Sequence, residues 1–258
     1  MKDERGRMKT MTPDEYVSQV ISKYAATSMA EIYYGLLAPY LSNWAGVYLA
    51  RTFISGAYAK GTAIHTSSDI DIFVSLRSNY PNLNGMYDSL YQFALNQGWL
   101  PRKQNVSLGI QYAGVKIDLV PGRIQEGYSN WHSLYKSKQM TWTQSNIDLQ
   151  ISTVRKYQRA NEIRAIKIWR NLHNLEFPSF YLELAVIEGI KYQPTTTLSQ
   201  NFLKALSYIS ESITTSRILD PGNTNNVISD DLTFTQKSAL ALAAANSRQA
   251  ANWNQIIW

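Results

Sequence analysis

The sequence RTFISGAYAKGTAIHTSSDIDIFVSL spans residues 51–76 and places a turn of small residues between two apolar segments. The first segment is predicted to form a short strand that ends at Gly56. Residues 68–76 are predicted to form a second strand, because apolar and polar residues alternate along them. Successive side chains of a strand point to opposite sides, so Asp69 and Asp71 are predicted to share one face.

Two carboxylates on one face repel each other unless a cation lies between them or one of them stays protonated. A divalent metal is the natural occupant, and hard oxygen ligands favour Mg²⁺ or Mn²⁺, which in turn favour a phosphate-bearing substrate. A triphosphate could closely approach the backbone amides of Gly56, Ala57 and Gly61, and Lys60 adds a positive charge. The segment therefore predicts a nucleotide and metal site.

A third carboxylate is needed if two metals are to act on an in-line displacement, and Asp118 provides one. It lies in SLGIQYAGVKIDLVPG, residues 107–122, which has the pattern of a β-hairpin. Apolar residues alternate along both arms, at Leu108, Ile110 and Tyr112 on one and Val115, Ile117 and Leu119 on the other. Asp118 is therefore predicted to point away from the apolar face, as Asp69 and Asp71 do, and a neighbouring strand would bring the three together.

These motifs resemble the polymerase-beta-type nucleotidyltransferase superfamily: Gly56, then AKGT, then SDIDIF, then an Asp in KIDLVPG on a later strand. Within it the chain most resembles the bacterial cGAS/DncV-like nucleotidyltransferases, in particular their CdnE-like branch. These relatives of 2'-5' oligoadenylate synthases make cyclic oligonucleotide signals in anti-phage (CBASS) defence. The resemblance covers roughly residues 12–230. One departure is Ala57, where the family usually has a Ser whose hydroxyl holds the triphosphate.

The predicted fold class is α+β and bilobal, with a mixed-sheet palm core and a helical C-terminal lobe. The order strand, turn, strand, helix, hairpin predicts a mixed sheet with helices on one side, in agreement with the palm of the resembled family. From about Tyr128 the spacing becomes helical, with no further convincing strand. We therefore expect residues 1–127 to form an N-terminal helix and the palm, and residues 128–258 a helical lobe that completes the nucleotide cleft.

Two segments of the helical lobe, RAIKIWR and FPSFYLEL, resemble the lysine helix and the serine-aromatic helix of the same family. The resemblance implies that Lys167 and Ser179 hold the donor triphosphate and that Phe180 stacks on a base. Stacking needs only a flat face and contributes about 1–3 kcal/mol per base. For Phe180 ordinary core packing is an equal alternative, and for Phe177 and Tyr181 it is the favoured one.

Three further residues are implicated by resemblance in contacts with the nucleotide. Asn161 precedes the lysine helix, where the resembled branch has an Asn associated with uracil recognition, and a side-chain amide can both donate to and accept from that base edge. Asn161 and Lys167 lie about 120° apart on a straight helix, so a shared ligand needs a bent helix or a base that wraps round it. Asp220 and Asn226 belong to ILDPGNTNNV, but such residues are also turn formers, and a structural turn is favoured.

Composition bounds the remaining properties of the chain. Its 258 residues include 25 Lys and Arg against 19 Asp and Glu, a formal charge of +6 and a pI near 9.3, which favours polyanionic partners such as nucleoside triphosphates or RNA. There is no Cys, so disulfides and thiolate metal sites are excluded.

No apolar run approaches the roughly 20 residues of a membrane span, and the N-terminus lacks the apolar core of a signal peptide. We expect a cytoplasmic protein, and the three His residues show no metal-ligand spacing.

The predicted function is a template-independent condensation of nucleoside triphosphates, with ATP and UTP as the expected substrates, into a cyclic dinucleotide that acts on a downstream effector. Asp69 and Asp71 would hold both metals, and Asp118 would complete the one that activates the attacking ribose hydroxyl.

Two alternatives stay open. The same chemistry could serve an RNA end, a protein hydroxyl or a small molecule, although the short chain argues mildly against RNA. A catalytically silent nucleotide- or RNA-binding module would belong to a different class. Ala57 is its only support, and the presence of all three acids, Lys60 and Lys167 argues against it.

Overall fold

The structure is a computed structural model that describes residues 11–27, 29–67, 69–192 and 197–258. The chain divides into two compact units. The sheet unit comprises Ala26–Lys156 and Leu219–Asn226. The helical unit comprises Met1–Ala25, of which residues 11–25 are described, together with Tyr157–Ile218 and Val227–Trp258. Ser68, the first residue of the second predicted strand, lies outside the described residues.

The regular elements follow one another from an N-terminal helix through a mixed sheet to a series of helices. In chain order they are α1 Pro13–Lys23, α2 Ala30–Ala45, β1 Leu49–Ile54, α3 Gly56–Lys60, β2 Ile70–Leu76, α4 Leu83–Asn96, β3 Arg102–Lys103, β4 Leu108–Tyr112, β5 Val115–Gln125, β6 Tyr128–Lys136, β7 Thr141–Ser145, α5 Ile147–Lys156, α6 Ala160–Leu172, α7 Ser179–Ile190, α8 Leu198–Ser212, β8 Leu219–Asp220, β9 Asn223–Val227 and α9 Phe234–Gln249.

The main sheet is mixed, which confirms the predicted fold class. Its strands run in the order β1-β2-β5-β4-β3, and β6 pairs with β5 and with β7. Only the pairing of β2 with β5 is parallel among the pairs described for this sheet; the others are antiparallel. The predicted hairpin is β4 and β5, and the predicted strands on either side of Gly56 are β1 and β2.

One face of this sheet is apolar and packs against helices α2 and α4. The alternation predicted for β2 is present, because Ile70, Ile72, Val74 and Leu76 are all buried on this face. They join a core cluster whose other members include Leu37, Leu41, Met86, Leu90, Leu108, Ile110, Ile117 and Leu119. Each such side chain contributes roughly 1.5–3 kcal/mol when fully buried, so the apolar face fixes which side chains point the other way.

The prediction that no strand follows Tyr128 is wrong. β6 and β7 form a hairpin that extends the sheet from the distal half of β5, with His132 paired to both Ile124 and Ser145. A smaller two-stranded sheet consists of β8 and β9. Residues 128–156 consequently belong to the sheet unit, and the first helix after these strands begins at Ile147.

The helical unit contains α1 and α6 to α9. Helix α1 begins with a capping box: the Thr12 hydroxyl accepts from the Glu15 amide at 3.2 Å, the Glu15 carboxylate accepts from the Thr12 amide at 2.8 Å, and Pro13 occupies the first turn. Trp169 of α6 is fully buried and donates through Nε1 to Ser247 Oγ at 2.9 Å. Across the described ranges, no helix has both the length and the apolar character needed to cross a bilayer.

Candidate active site

A row of polar positions crosses the sheet on the face opposite the apolar core. Strand β2 pairs with β5 so that Asp71 is the register partner of Asp118. Asp118 is in turn the partner of Gly109 on β4, which is the partner of Arg102 on β3. On the other side, the Ser55 amide donates to the Asp71 carbonyl at 2.7 Å. Neighbouring strands lie about 4.8 Å apart, so backbone pairing holds two carboxylates side by side.

Asp69, the remaining predicted acid, is less firmly held than Asp71 and Asp118. It lies one residue before the first ladder position of β2 and is exposed, whereas Asp71 and Asp118 are half-buried. Burial raises the pKa of Asp118, and the nearby charge of Asp69 raises it further, while a hydrogen bond from Gln104 and the charge of Arg102 oppose the shift. Asp69 is thus close enough to Asp118 for the two charges to repel.

The donor set suits a hard divalent cation, although the three acids do not form a finished metal site. Carboxylate oxygens without sulfur ligands suit Mg²⁺ or Mn²⁺, and the mutual repulsion of Asp69 and Asp118 is what a cation would relieve. Within the part of the chain that the structure describes, no group of three or more His, Asp or Glu side chains is arranged to hold a metal ion. Asp71 and Asp118 are the residues fixed by pairing, and Asp69 would have to complete the set.

Gly56 is required by the geometry of the site. Its φ of +58° lies in the left-handed region, which favours glycine. In addition, a Cβ at this position would lie 1.7 Å from Asp71 Oδ2. Helix α3 begins at Gly56 and is capped by Gly61, which follows its last residue. Gly61 has a φ of +74°, and its amide donates to the Tyr58 carbonyl. The predicted small-residue turn is therefore a short helix whose first residue packs against the carboxylate of Asp71.

Ala57 and Lys60 both belong to α3. The Ala57 carbonyl accepts from the Thr62 amide at 2.9 Å. Lys60 was predicted as a positive charge for a phosphate, but its side chain is 9% exposed. Its role toward a triphosphate stays a prediction.

A cleft of about 480 Å³ opens beside Asp69. Tyr33, Tyr58, His65 and Lys116 are among the residues that line it. Burial and the charge of Asp69 raise the pKa of Tyr58, which keeps its phenol protonated as a hydrogen-bond donor. The volume lies in the range of small-molecule sites, and the lining combines aromatic faces with a cation.

Lys167 is deeply buried in the helical unit, which the sequence did not reveal. Its Nζ donates to Glu183 Oε1 of α7 at 2.7 Å, and both side chains are 1% exposed. Arg170, one turn further along α6, donates through Nη1 to the Phe177 carbonyl at 2.8 Å and to Ser179 Oγ at 3.1 Å. Sequence reasoning missed both Glu183 and Arg170, although the i, i+3 spacing of Lys167 and Arg170 places them on neighbouring positions of one face.

The aromatic residues in and just before the first turn of α7 separate into two kinds. Phe177 and Tyr181 are buried and pack edge to face with ring centroids 5.1 Å apart, which confirms the prediction that they are core residues. Phe180 is half-buried. Its stacking on a base therefore stays a prediction beside the packing alternative.

Asn161 and Lys167 lie on the same helix but in different environments. Helix α6 contains both residues; Asn161 is exposed and Lys167 is buried. The Asn161 Oδ1 accepts from Arg164 Nη1 at 2.9 Å. The recognition of uracil by Asn161 stays a prediction.

Asp220 ends β8, and its side chain contacts the turn that leads into β9, while its contact with a nucleotide stays a prediction. Its carboxylate accepts from Gln150 Nε2 at 2.9 and 3.0 Å and from the Gly222 amide at 2.8 Å. Asn226 is exposed on β9, and its contact with a nucleotide stays a prediction.

His132 is buried rather than catalytic. Its Nε2 lies 2.7 Å from Ser75 Oγ, and its ring packs edge to face on Phe73. Burial lowers the pKa of His132 to about 4, so the ring is neutral near pH 7.

Replacing Gly56 with Ala is expected to destabilise the protein more than replacing Gly61 with Ala. Both positions have positive φ, so each variant incurs about 1–2 kcal/mol of left-handed strain. Gly61 has nothing within 4 Å of an added Cβ, whereas Gly56 would collide with Asp71, at a further cost of about 1–3 kcal/mol. Urea denaturation of the two variants measures the difference. Equal losses would contradict the close packing of Gly56 on Asp71.

Replacing Lys167 with Met is expected to lower the free energy of unfolding by about 3–5 kcal/mol, because the buried Glu183 carboxylate then loses the ammonium group that pairs with it at 2.7 Å. Lys191→Met is the matched control. Lys191 pairs at 2.7 Å with Glu188, whose side chain is 44% exposed, and surface pairs contribute about 0–1 kcal/mol. Chemical denaturation compares the two variants, and a loss for Lys167→Met as small as that of the control would contradict the buried pair.

No protein-family model matches the chain. The chain is 28% identical over 171 residues to the cyclic AMP-AMP-AMP synthase of Escherichia coli (strain MS 115-1), in a match that covers 60% of this chain and 53% of that protein. The chain thus spans about half the length of the curated relative that it matches.

Solved structures show the same fold over nearly the whole chain. E. coli MS115-1 CdnC with ATP superposes with a TM-score of 0.73 at 20% identity and covers 96% of this chain and 95% of its own. The CD-NTase CdnG of Bradyrhizobium diazoefficiens in complex with GTP has a TM-score of 0.80 at 12% identity, with 94% and 92% covered.

The CdnE-like branch is not confirmed by these comparisons. The Rhodothermus marinus CdnE c-UMP-AMP synthase, solved with Apcpp and Upnpp, has a TM-score of 0.61 at 13% identity, with 92% of this chain and 98% of its own covered. This TM-score is lower than those of CdnC and CdnG. The assignment to a branch stays a prediction, but the broader resemblance is confirmed: the chain has the fold of the cGAS/DncV-like nucleotidyltransferases.

Proposed function

We propose that this protein is a template-independent nucleotidyltransferase that joins nucleoside triphosphates into a cyclic oligonucleotide. The observation that carries the proposal is the register of β2 and β5, which places Asp71 beside Asp118 on the polar face of the sheet. Its fold and its E. coli relative, a cyclic AMP-AMP-AMP synthase, support the same activity.

In the proposed reaction, a ribose hydroxyl of one nucleotide attacks the α-phosphate of another. A new oxygen–phosphorus bond forms, the bond from the α-phosphate to the bridging oxygen breaks, pyrophosphate leaves, and the hydroxyl proton passes to solvent. The three acids Asp69, Asp71 and Asp118 would hold Mg²⁺ or Mn²⁺. The bound metal would neutralise phosphate charge and lower the pKa of the attacking hydroxyl. No side-chain nucleophile is needed.

The contribution of the protein is preorganisation of the acids. Asp71 and Asp118 are held by backbone pairing, so their relative position does not have to be created when substrate binds. Gly56 leaves space for the Asp71 carboxylate. The cleft beside Asp69 offers the faces of Tyr33 and Tyr58, and we place one nucleoside there because aromatic faces stack on any base.

The identity and number of the joined nucleotides are a finer part of the proposal. The sequence motifs favour a cyclic dinucleotide that contains uracil, through Asn161, with ATP and UTP as substrates. The name of the E. coli relative favours a second candidate, a cyclic trinucleotide of adenylate. In either case we propose that the product is a signal for a downstream effector in cytoplasmic anti-phage (CBASS) defence, as the resemblance implies.

The test is incubation of the protein with all four ribonucleoside triphosphates and Mg²⁺ or Mn²⁺, followed by measurement of pyrophosphate and mass spectrometry of the product. Asp71→Asn and Asp118→Asn are expected to reduce pyrophosphate release by at least about 100-fold, because each removes a charge that the transition state needs. Asp88→Asn is the matched control, since Asp88 forms an exposed pair with Lys103 at 2.7 Å.

Two results would contradict the proposal: no pyrophosphate from the parent with any nucleotide mixture, as a silent binding module predicts, or undiminished release from Asp71→Asn. A linear product extended on added RNA would instead support transfer to an RNA end. A product that contains uracil supports the role of Asn161, and one of three adenylates overturns it.

A further inference from the structure

The side chain of Gln104 donates a hydrogen bond to Asp118, one of the three acids of the site. Gln104 lies in the short loop between β3 and β4, and its Nε2 donates to Asp118 Oδ1 at 2.9 Å. Neither the motifs of the sequence nor the resemblance pointed to this residue. Strand β5 lies between β2 and β4. Gln104 therefore reaches Asp118 from the β4 side of β5, whereas Asp71 lies on the β2 side.

The orientation of the Gln104 amide follows from its two partners. A carboxylate only accepts, so the amide nitrogen must be the atom that faces Asp118. Ser107 Oγ then donates to Gln104 Oε1 at 2.9 Å and holds the other end of the amide.

The backbone of Gln104 is also held in place. Its carbonyl accepts from Tyr87 Oη at 2.8 Å and from Ser137 Oγ, and its amide donates to the Ser107 carbonyl at 3.0 Å. A side chain whose loop and amide are both fixed can hold a neighbouring group in one position.

Gly109 provides the space through which Gln104 reaches Asp118. It is the register partner of Asp118 on β4. A Cβ on Gly109 would lie 2.7 Å from Gln104 Nε2, 3.2 Å from Asp118 Oδ1 and 3.3 Å from Arg102 Nη2. The nearest of these atoms is the end of a flexible side chain, so an added methyl group would displace the Gln104 amide and leave the backbone in place.

We propose that Gln104 is a positioning residue for Asp118: it holds Oδ1 and thereby directs Oδ2 toward the metal in the nucleotidyl transfer proposed above, on which this inference rests. A ligand carboxylate that binds through one oxygen is oriented by a hydrogen bond to the other, and outer partners of this kind typically affect metal affinity or activity by about 10- to 100-fold. Ser107 orients Gln104, and Gly109 leaves room for it.

Two variants test the proposal by different routes. Gln104→Met keeps the length of the side chain and removes the donor. Gly109→Ala keeps the donor and displaces it. Gln92→Met is the matched control, because Gln92 is an exposed residue of α4, the helix that packs on the apolar face of the sheet. Thermal unfolding of each variant establishes that it is folded.

The primary measurement is the Kd for Mn²⁺, by electron paramagnetic resonance, in the presence of a non-hydrolysable ATP analogue. Both test variants are expected to raise this Kd by about 10- to 100-fold and to lower kcat with little change in KM at saturating metal, while Gln92→Met changes neither the Kd nor kcat. A Kd within about twofold of the parent for Gln104→Met would overturn the inference. So would a gain in activity, which would mean that Gln104 restrains Asp118.

The outcome separates the inference from the proposed function. A parent that binds Mn²⁺ but releases no pyrophosphate would overturn the proposed function, and the Mn²⁺ comparison would still decide the role of Gln104. A lower unfolding temperature with an unchanged Kd would show that Gln104 only stabilises its loop, and would overturn the inference alone.

Discussion

The parallel pairing of β2 with β5 is the constraint on which the candidate site depends. It places Asp71 next to Asp118 on one face while the opposite face packs into the apolar core. The backbone of neither acid can move away without breaking the pairing of two strands whose core-facing side chains, such as Ile72 and Ile117, are fully buried. Burial and the charge of Asp69 raise the pKa of Asp118. The core therefore stabilises an arrangement of like charges that is unfavourable by itself and that a divalent cation would favour.

The residues around Asp71 and Asp118 accommodate the two carboxylates in two ways. Some have no side chain, and others provide a hydrogen-bond donor or a positive charge. Gly56 and Gly109 are the two glycines whose absent Cβ leaves space for Asp71 on one side and for Gln104 and Asp118 on the other. Gln104 and Arg102 oppose the upward shift in the pKa of Asp118. Substitution at either glycine would thus change the position of a carboxylate or its partner, even though neither glycine carries chemistry itself.

The sequence predicted the parts of the fold whose patterns are local. Alternation of apolar residues identified β2, β4 and β5, and helical spacing indicated that the C-terminal lobe is made of helices. The faces of Asp71 and Asp118 followed from the same alternation, because one buried face determines the other. The resemblance supplied what alternation could not, namely that strands distant in sequence are neighbours in the sheet.

The parts that the sequence did not predict depend on tertiary contacts. In β6 the polar residues His132 and Ser133 are buried next to Leu134, so the sequence shows no alternation of apolar and polar residues, and His132 is stabilised by Ser75 of another strand. The burial of Lys167 depends on Glu183, which lies on a different helix. No local pattern distinguishes Gln104 from an ordinary loop residue.

The most direct test of the central claim is a crystal structure of the protein with Mn²⁺ and a non-hydrolysable triphosphate, with the metal located by its anomalous scattering. We expect Mn²⁺ within about 2.0–2.3 Å of carboxylate oxygens of both Asp71 and Asp118, close to the distances of hard six-coordinate cations. A bound triphosphate whose metal contacts neither acid, or contacts one while the other faces away, would contradict the claim.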